Sequence, residues 1–348
     1  MTIISLRLVR IIFRQWLVWL CLTMSALSAM PAYSTEPVRI GVLAFRPKAQ
    51  MQPQTQALAA ALKQAIPERD FVVDALYYPE LELAAASRQI DFLITNPGHF
   101  VILHRTIGLS APLATLVMNE NGQRAAVFGG VIFSRAEQTD INALSDIKRR
   151  IVAAPATDSL GAYQMQAYEL FRAGIDLKHD ATLLLTGLPQ DKIVDAVLSG
   201  KADVGFVRSG VLEAMAREGK LDLSRLKVIN RQNLPGFPVQ TSTRLYPEWP
   251  FAALPHIDED LARQVVAALF LLKVDSVQTK AMGIRGFVVP ADYTPVADML
   301  RALRAPPYEE APSFNLLDVW KQYRWPIIAG CLAFFLILLL GIRLFLTR

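Results

Sequence analysis

Cysteine is nearly absent from this chain of 348 residues. There are two, Cys21 and Cys331, each inside a long apolar segment, so no disulfide framework can form in the region between them. Catalytic signatures are missing too: there is no G-x-S-x-G, no phosphate-binding loop and no dinucleotide fingerprint. The four histidines, His99, His104, His179 and His256, are not paired at metal-ligand spacing with one another or with a cysteine. These absences argue against a hydrolase, a transferase or a metalloenzyme, and no cofactor is expected. Acidic residues are missing from both ends. Residues 1–34 carry Arg7, Arg10 and Arg14, residues 325–348 carry Arg343 and Arg348, and neither stretch has an Asp or Glu. Of the 36 Lys and Arg, the 31 that lie between these ends match the 31 Asp and Glu, so the net charge of +5 belongs to the ends. The neutral middle offers no nucleic-acid surface.

What is present begins with the two apolar segments. Three arginines, the run WLVWLCLTM and the small-residue site Ala32-Tyr33-Ser34 predict an export signal over 1–34, either cleaved before Thr35 or kept as a signal anchor. Cys21 follows Trp19-Leu20 rather than small residues, so no lipid anchor is expected. Trp325–Ile342 is an uncharged run long enough to span a bilayer, flanked by Trp320, Tyr323 and Trp325 on one side and Arg343 and Arg348 on the other. We expect a membrane helix over 325–346, a juxtamembrane linker over 301–324, and the bulk of the chain in the periplasm of a bacterium, tethered to the inner membrane.

Between the ends, short apolar strands alternate with helical stretches: VRIGVL, a helix over 55–65, FVVDAL, a helix over 78–87, then DFLIT. That order predicts an α/β fold with largely parallel sheets. The region is long enough for two lobes. Lobe 1 is expected at 35–133 and 231–300, and lobe 2 at 134–230, with AAVFGGVIFS carrying the chain between them. Gly129-Gly130 in that strand marks a hinge or a bulge. A strand over 202–207 and an amphipathic helix over 258–273 follow.

Ligands of such sheets gather at the carboxyl ends of strands. Four places qualify. The stretch AAPATDSLGAYQM has N-cap residues Thr157, Asp158 and Ser159, then the small Gly161-Ala162, which suits either an anion at an open helix start or an ordinary capped helix. Arg208 ends an apolar strand; it either clamps an oxyanion or closes an internal salt bridge, with Glu213 the nearby partner. Arg46, in the turn after the first strand, is a further candidate, and His99 after Asn96-Pro97-Gly98 is either a cleft or a packing residue.

The segments IGVLAF, DFLITNPGHFV, FGGVIFSR, APATDSLGAYQM, LTGLPQDKIVDAVLSGKADVGFVRSGVLE and YPEWPFAAL, in that order over about Val38 to Lys273, resemble the phosphonate-type periplasmic binding-protein domain. The likeness is to the version that serves as extracytoplasmic sensor of bacterial histidine kinases such as tetrathionate sensor kinases. The resemblance implies a two-lobed type II binding-protein fold that closes on a small ligand. It also implies contacts from Thr95, Asn96 and the turn to His99, from Thr157, Ser159 and Gly161, and from Arg208. Two departures shape the expected ligand. Thr186-Gly187-Leu188-Pro189 stands where the transporters carry a Ser-His pair, and Arg208 stands near their acidic residue. Those groups serve an aminophosphonate's amine, so the solute expected here is anionic without an ammonium group. Sensor kinases continue past the membrane span into a kinase module, and none is read before Arg348. The output is therefore expected from a separate partner or from a longer design of which this is the sensory portion. The expected role is sensing, with a dimer the simplest way to signal through one span. The alternative is the binding component of an uptake transporter, whose partner is a permease.

Overall fold

The computed structural model describes residues 36–309 and 316–347. The export segment expected over 1–34 lies outside the described residues.

The first part of the chain is β1 (Val38–Leu43), α1 (Lys48–Ala65), β2 (Phe71–Leu76), α2 (Tyr78–Ala86), β3 (Phe92–Ile94), α3 (Pro97–Thr106), β4 (Ala114–Glu120), β5 (Gln123–Ala125) and β6 (Val127–Phe128). The middle is β7 (Gly130–Arg135), β8 (Ile151–Ala154), α4 (Met165–Arg172), β9 (Thr182–Leu185), α5 (Asp191–Leu198), β10 (Val204–Arg208), α6 (Val211–Arg217) and β11 (Leu226–Ile229). The chain returns through β12 (Tyr246–Pro247), β13 (Pro250–Ala253), α7 (Glu259–Phe270), α8 (Val277–Met282), β14 (Ile284–Val288) and α9 (Thr294–Ala302), and continues to α10 (Leu316–Leu346).

Two sheets carry the fold. The first has the order β14-β4-β13-β3-β1-β2, with β5 paired to β4; the second has the order β11-β7-β10-β8-β9. Strands β1, β2 and β3 are parallel, as are β8, β9 and β10. The apolar composition of the inner strands, such as β3 and β10, follows from burial on both faces. Strands β4, β13 and β14, and β7 and β11, run antiparallel to their neighbours.

The two sheets are joined where β6 pairs with β12, Val127 opposite Pro247 and Phe128 opposite Tyr246. Strand β7 hydrogen-bonds into the second sheet from Gly130 onward. Ser242 donates its N–H to the Gly130 carbonyl, and its Oγ accepts from Ile132 N–H, both at 2.8 Å. The second lobe thus reaches further than 134–230 on both sides, to the crossover at 127–128 and 246–247. The sequence reads 125–134 as one strand, but it is broken at Gly129. A Cβ there would stand 2.2 Å from Thr241 Oγ1, and one on Gly130 would stand 2.4 Å from Gln166 Nε2. The glycine pair lets the two crossing strands and Gln166 meet. Helix α1 starts seven residues before the expected Thr55 and accommodates Pro53 in its second turn.

Each lobe has its own core. Lobe 1 packs Ile40, Leu43, Phe92, Phe251 and Phe287 beneath α1, α2 and α7. The second sheet is covered on one face by a cluster around Phe133, Val197 and Met215, and on the other by one around Phe206, Leu170 and Ile175. Gly205 in β10 is needed by this packing: its Cβ would lie 2.4 Å from Phe133 Cζ and 2.9 Å from Val197 Cγ2. We expect Gly205→Ala to lower stability by about 1–3 kcal/mol through overpacking, read as a shifted denaturation midpoint. An unchanged midpoint would mean that Phe133 moves aside at no cost.

Helix α10 includes Tyr323–Leu344, long and apolar enough to cross a membrane, with a mean hydropathy of 2.6 in its best window. Ahead of it, Leu303 packs against the lobe-1 core and against one lobe-2 cluster, so the segment after α9 touches both lobes. Tyr308 lies under two guanidinium groups, Arg105 of α3 at 5.7 Å and Arg301 of α9 at 4.6 Å.

Candidate ligand-binding site

The lobes meet over the carboxyl ends of their parallel strands. From lobe 1 come Leu43 and Phe45 after β1, Tyr78 after β2, Asn96 after β3, and Trp249 ahead of β13. From lobe 2 and the crossover come Phe128, Ser159 and Gly161 after β8, Leu188 and Gln190 after β9, and Arg208 at the end of β10. These walls leave about 10 Å³ between them. A wider cleft of about 280 Å³ adjoins at Phe45 and Arg208, bounded by Arg46, Glu120, Arg217 and Glu218.

Arg208 is the centre of the site. Its guanidinium carbon lies 4.8 Å from the centroid of Phe128, 5.1 Å from Phe45 and 5.7 Å from Trp249. Such an aromatic cage favours a cation and excludes water from its faces. The salt-bridge partner is not the neighbouring Glu213. It is Glu248, whose Oε1 accepts from Arg208 Nη2 at 2.5 Å, with both side chains essentially inaccessible. Glu213 instead accepts from Gln240 N–H at 2.9 Å. Burial pushes the Glu248 carboxyl up to about 7, against the pull of Arg208. Glu120 is also raised by burial, opposed again by Arg208. Two buried donors here have no protein partner, Arg208 Nε and Trp249 Nε1. Unmet buried donors cost free energy, and a ligand acceptor would recover it.

The helix start at 159–161 adds to this wall. Ser159 occupies the N-cap position without a side-chain capping bond, and a π-helical turn, Leu160–Gln164, leads into α4. The first N–H groups of that turn have no intrahelical acceptor. Gly161 fits because a Cβ would stand 2.9 Å from Arg208 Cβ and 2.8 Å from Phe128 Cε2. Asn96 caps α3 through His99 N–H at 3.0 Å and donates Nδ2–H to the Tyr78 hydroxyl at 2.7 Å. Burial, with Asp158 nearby, raises the Tyr78 phenol well above its ordinary value, so it is a neutral hydroxyl.

Of the residues expected at the site, Asn96, Ser159, Gly161 and Arg208 line the inter-lobe space. Thr95 and His99 sit one layer behind it. His99 Nδ1 is 2.8 Å from Thr95 Oγ1, its Nε2 is 3.2 Å from Glu82, and its ring meets Tyr78 edge-on at 4.9 Å. The hydrogen bond from His99 holds the Glu82 carboxyl below its usual range. Thr157 is exposed on the turn. Arg46 is committed to carboxylates of the other lobe: Nε to Asp191 at 2.7 Å and Nη2 to Glu218 at 2.9 Å. Alongside this pair, Gln190 N–H donates to the Phe45 carbonyl at 2.9 Å, so the first turn of lobe 1 is fastened to lobe 2. Sequence reading missed Tyr78, Gln190, Glu248 and Trp249. Among the described residues, no group of three His, Cys, Asp or Glu is placed to hold a metal ion.

The chain and its fold have known counterparts. The chain is 30% identical over 303 residues to the tetrathionate sensor histidine kinase TtrS of Salmonella typhimurium; the match covers 87% of this chain and 49% of that one. The chain therefore spans about half the length of that curated relative. Two solved structures share the fold at 14% identity. One is a binding protein component of an ABC phosphonate transporter from Pseudomonas aeruginosa, with a TM-score of 0.62, 78% of this chain covered and 87% of that one. The other is PhnD1 from Prochlorococcus marinus in complex with methylphosphonate, with a TM-score of 0.60 and 77% and 98% covered. The model of the ABC-transporter phosphonate periplasmic substrate-binding proteins matches residues 40–294, and the chain belongs to that family.

Proposed function

We propose that this chain is the extracytoplasmic sensing part of a membrane-tethered receptor that closes on a small oxyanion lacking an ammonium group. The observation that carries the reading is Arg208: buried in an aromatic cage, tied on one side to Glu248, with its Nε and the neighbouring Trp249 Nε1 both unpartnered. An anion on those two donors draws on contacts from both lobes, so it stabilises the closed arrangement in preference to an open one, which is the condition for a population shift. Closure reaches the membrane through the segment after α9. Leu303 rests on both lobes, and Tyr308 is gripped by Arg105 at the far end of the helix that Asn96 caps. Relative motion of the lobes thus moves the root of 305–324 and, with it, α10. The tetrathionate sensor kinase supports sensing by likeness, and the family description keeps uptake as the second reading.

The test uses the full chain in lipid nanodiscs and a panel of phosphonates, phosphite, sulfonates, thiosulfate, tetrathionate and short carboxylates. Trp249 is one of five tryptophans in the chain and the one among 36–309, and it stands in the site, so an emission change on ligand addition that is lost in Trp249→Phe reports binding. A ligand at a hundred times its Kd adds about 2.7 kcal/mol to stability. Arg208→Lys keeps a cation for Glu248 but removes the Nε donor, and Trp249→Phe keeps a ring but removes Nε1; each is expected to weaken binding about tenfold or more. A hit indifferent to both variants would move the site elsewhere. Silence across the panel would overturn the anion reading.

A further inference from the structure

Behind Arg208 and Trp249 a second cavity of about 70 Å³ runs into lobe 1, between α1 and the first sheet. Its walls are Met51, Met118 and Met282 with Leu116, Ile284 and Phe287, and the polar side chains on it are Arg208, Gln54 and Thr55, apart from the Trp249 indole at its mouth. The Thr55 hydroxyl is already spent on the Gln52 carbonyl of its own helix, at 3.0 Å. The cavity and the inter-lobe space share Phe45, Arg208 and Trp249, so one molecule can reach both. Arg208 and Trp249, whose Nε and Nε1 are unpartnered buried donors, both line that junction.

We infer that the ligand is an amphiphilic anion: an oxyanion head on Arg208 and Trp249, and an unbranched apolar tail in the methionine-lined cavity. The inference rests on the reading that Arg208 takes the anion, and it adds the tail. An inorganic oxyanion has nothing to place against three methionine side chains and a phenylalanine, and its hydration argues against that surface. An alkyl chain gains from burial there, and methionine adapts to its shape. At about 10–15 Å³ to admit one water-sized group and about 30 Å³ for each one packed at liquid density, the cavity holds a short tail of about two to five heavy atoms, which sets the tail length. Glu248 already balances the charge of Arg208, so a head with a single negative charge suits the pair better than a dianion.

The experiment measures Kd for methane-, butane-, hexane- and octanesulfonate by calorimetry on the full chain in lipid nanodiscs. Affinity is expected to rise about three- to fourfold for each added CH₂, up to about two to five carbons, and then level off. Thr55→Leu fills the cavity with side-chain volume, and in that variant the rise is expected to collapse. Sulfonates that bind with the same Kd at every length would overturn the tail and leave the anion reading standing. A rise that persists unchanged in Thr55→Leu would come from the bilayer and would also overturn the tail. No binding of any sulfonate, short or long, would overturn both.

Discussion

Glu248→Ala is expected to cost about 3–5 kcal/mol of folding stability, because it strands the Arg208 charge in a site closed to water. The aromatic faces of Phe45, Phe128 and Trp249 offset part of that charge but supply no acceptor. Glu248→Gln keeps the shape and an acceptor oxygen and is expected to lose less. The same residue sets a pH dependence. Burial holds the folded-state carboxyl up to about 7, above the ordinary 4.5. The folded protein therefore keeps a proton that the unfolded chain releases between those values. This contribution to stability is complete below about pH 4.5 and is lost as pH rises through about 7, with a slope of at most about 1.4 kcal/mol per pH unit. Glu120, raised by the same cause, acts in the same direction. An anion placed on Arg208 competes with the ionised form of Glu248, so binding draws in a proton and tightens as pH falls from 8 to 6, by at most about tenfold per unit. Chemical denaturation and ligand titration of wild type and Glu248→Gln across pH 5–8 check both statements. The wild-type slopes should shrink in the variant to the part that Glu120 leaves; equal slopes in the two would place the titrating group elsewhere.

Much of this architecture is legible in the sequence, and the parts that are not share one cause. The strands β1, β2, β8, β9 and β11 announce themselves as short apolar runs, and Arg208 stands out as a fixed charge closing such a run. Asn96, Ser159 and Gly161 follow from the rule that parallel strands deliver ligand contacts at their carboxyl ends. The same rule, applied to β2, would have found Tyr78, since the chain turns into α2 there. No local rule finds Trp249, which precedes an antiparallel strand, or Glu248, which is 40 residues from Arg208. Glu213 was the plausible partner by sequence distance; the crossover of β6 and β12 brings Glu248 in instead. The helix start at Ser159 reads either as an anion site or as an ordinary cap; its hydroxyl makes no capping bond and meets Tyr78 at the cleft. Pairing fixed by topology at separations of 40 to 172 residues has no signature in a window of ten.

Arg46 shows this most fully, and its removal should alter binding more than folding. The turn after β1 reads as solvated or as a ligand contact. In the structure its guanidinium is buried between Asp191, 145 residues on, and Glu218, 172 residues on. Asp191 is the tighter partner, held through two oxygens at 2.7 and 3.1 Å and nearly covered; Glu218 is a third exposed, so its share is screened. Burial pushes the Glu218 carboxyl up, but Lys220 and Arg46 together hold it below its usual range. The contacts of Arg46 with Asp191 and Glu218 cross between lobes, so they exist only when the lobes are together. Losing a charged hydrogen-bond pair of this kind is worth about 1.5–3 kcal/mol, which lowers the closed population and weakens apparent affinity by about 10- to 100-fold, since the observed Kd is the intrinsic one divided by the closed fraction. Arg46→Ala is accordingly expected to raise the radius of gyration of the ligand-free protein in solution scattering and to raise Kd by that factor, with each lobe's core intact. Exchanging the charges, Arg46→Asp with Asp191→Arg, should recover much of the affinity, although Glu218 then faces an acidic neighbour and recovery stays incomplete. Unchanged scattering together with a Kd within twofold of wild type would show that the lobes are held by the Arg208–Glu248 pair and the Phe45–Gln190 hydrogen bond, and that Arg46 only fills the gap between them. The rescue by charge exchange separates the two cases, because a filler needs size at position 46 and a latch needs complementary charge.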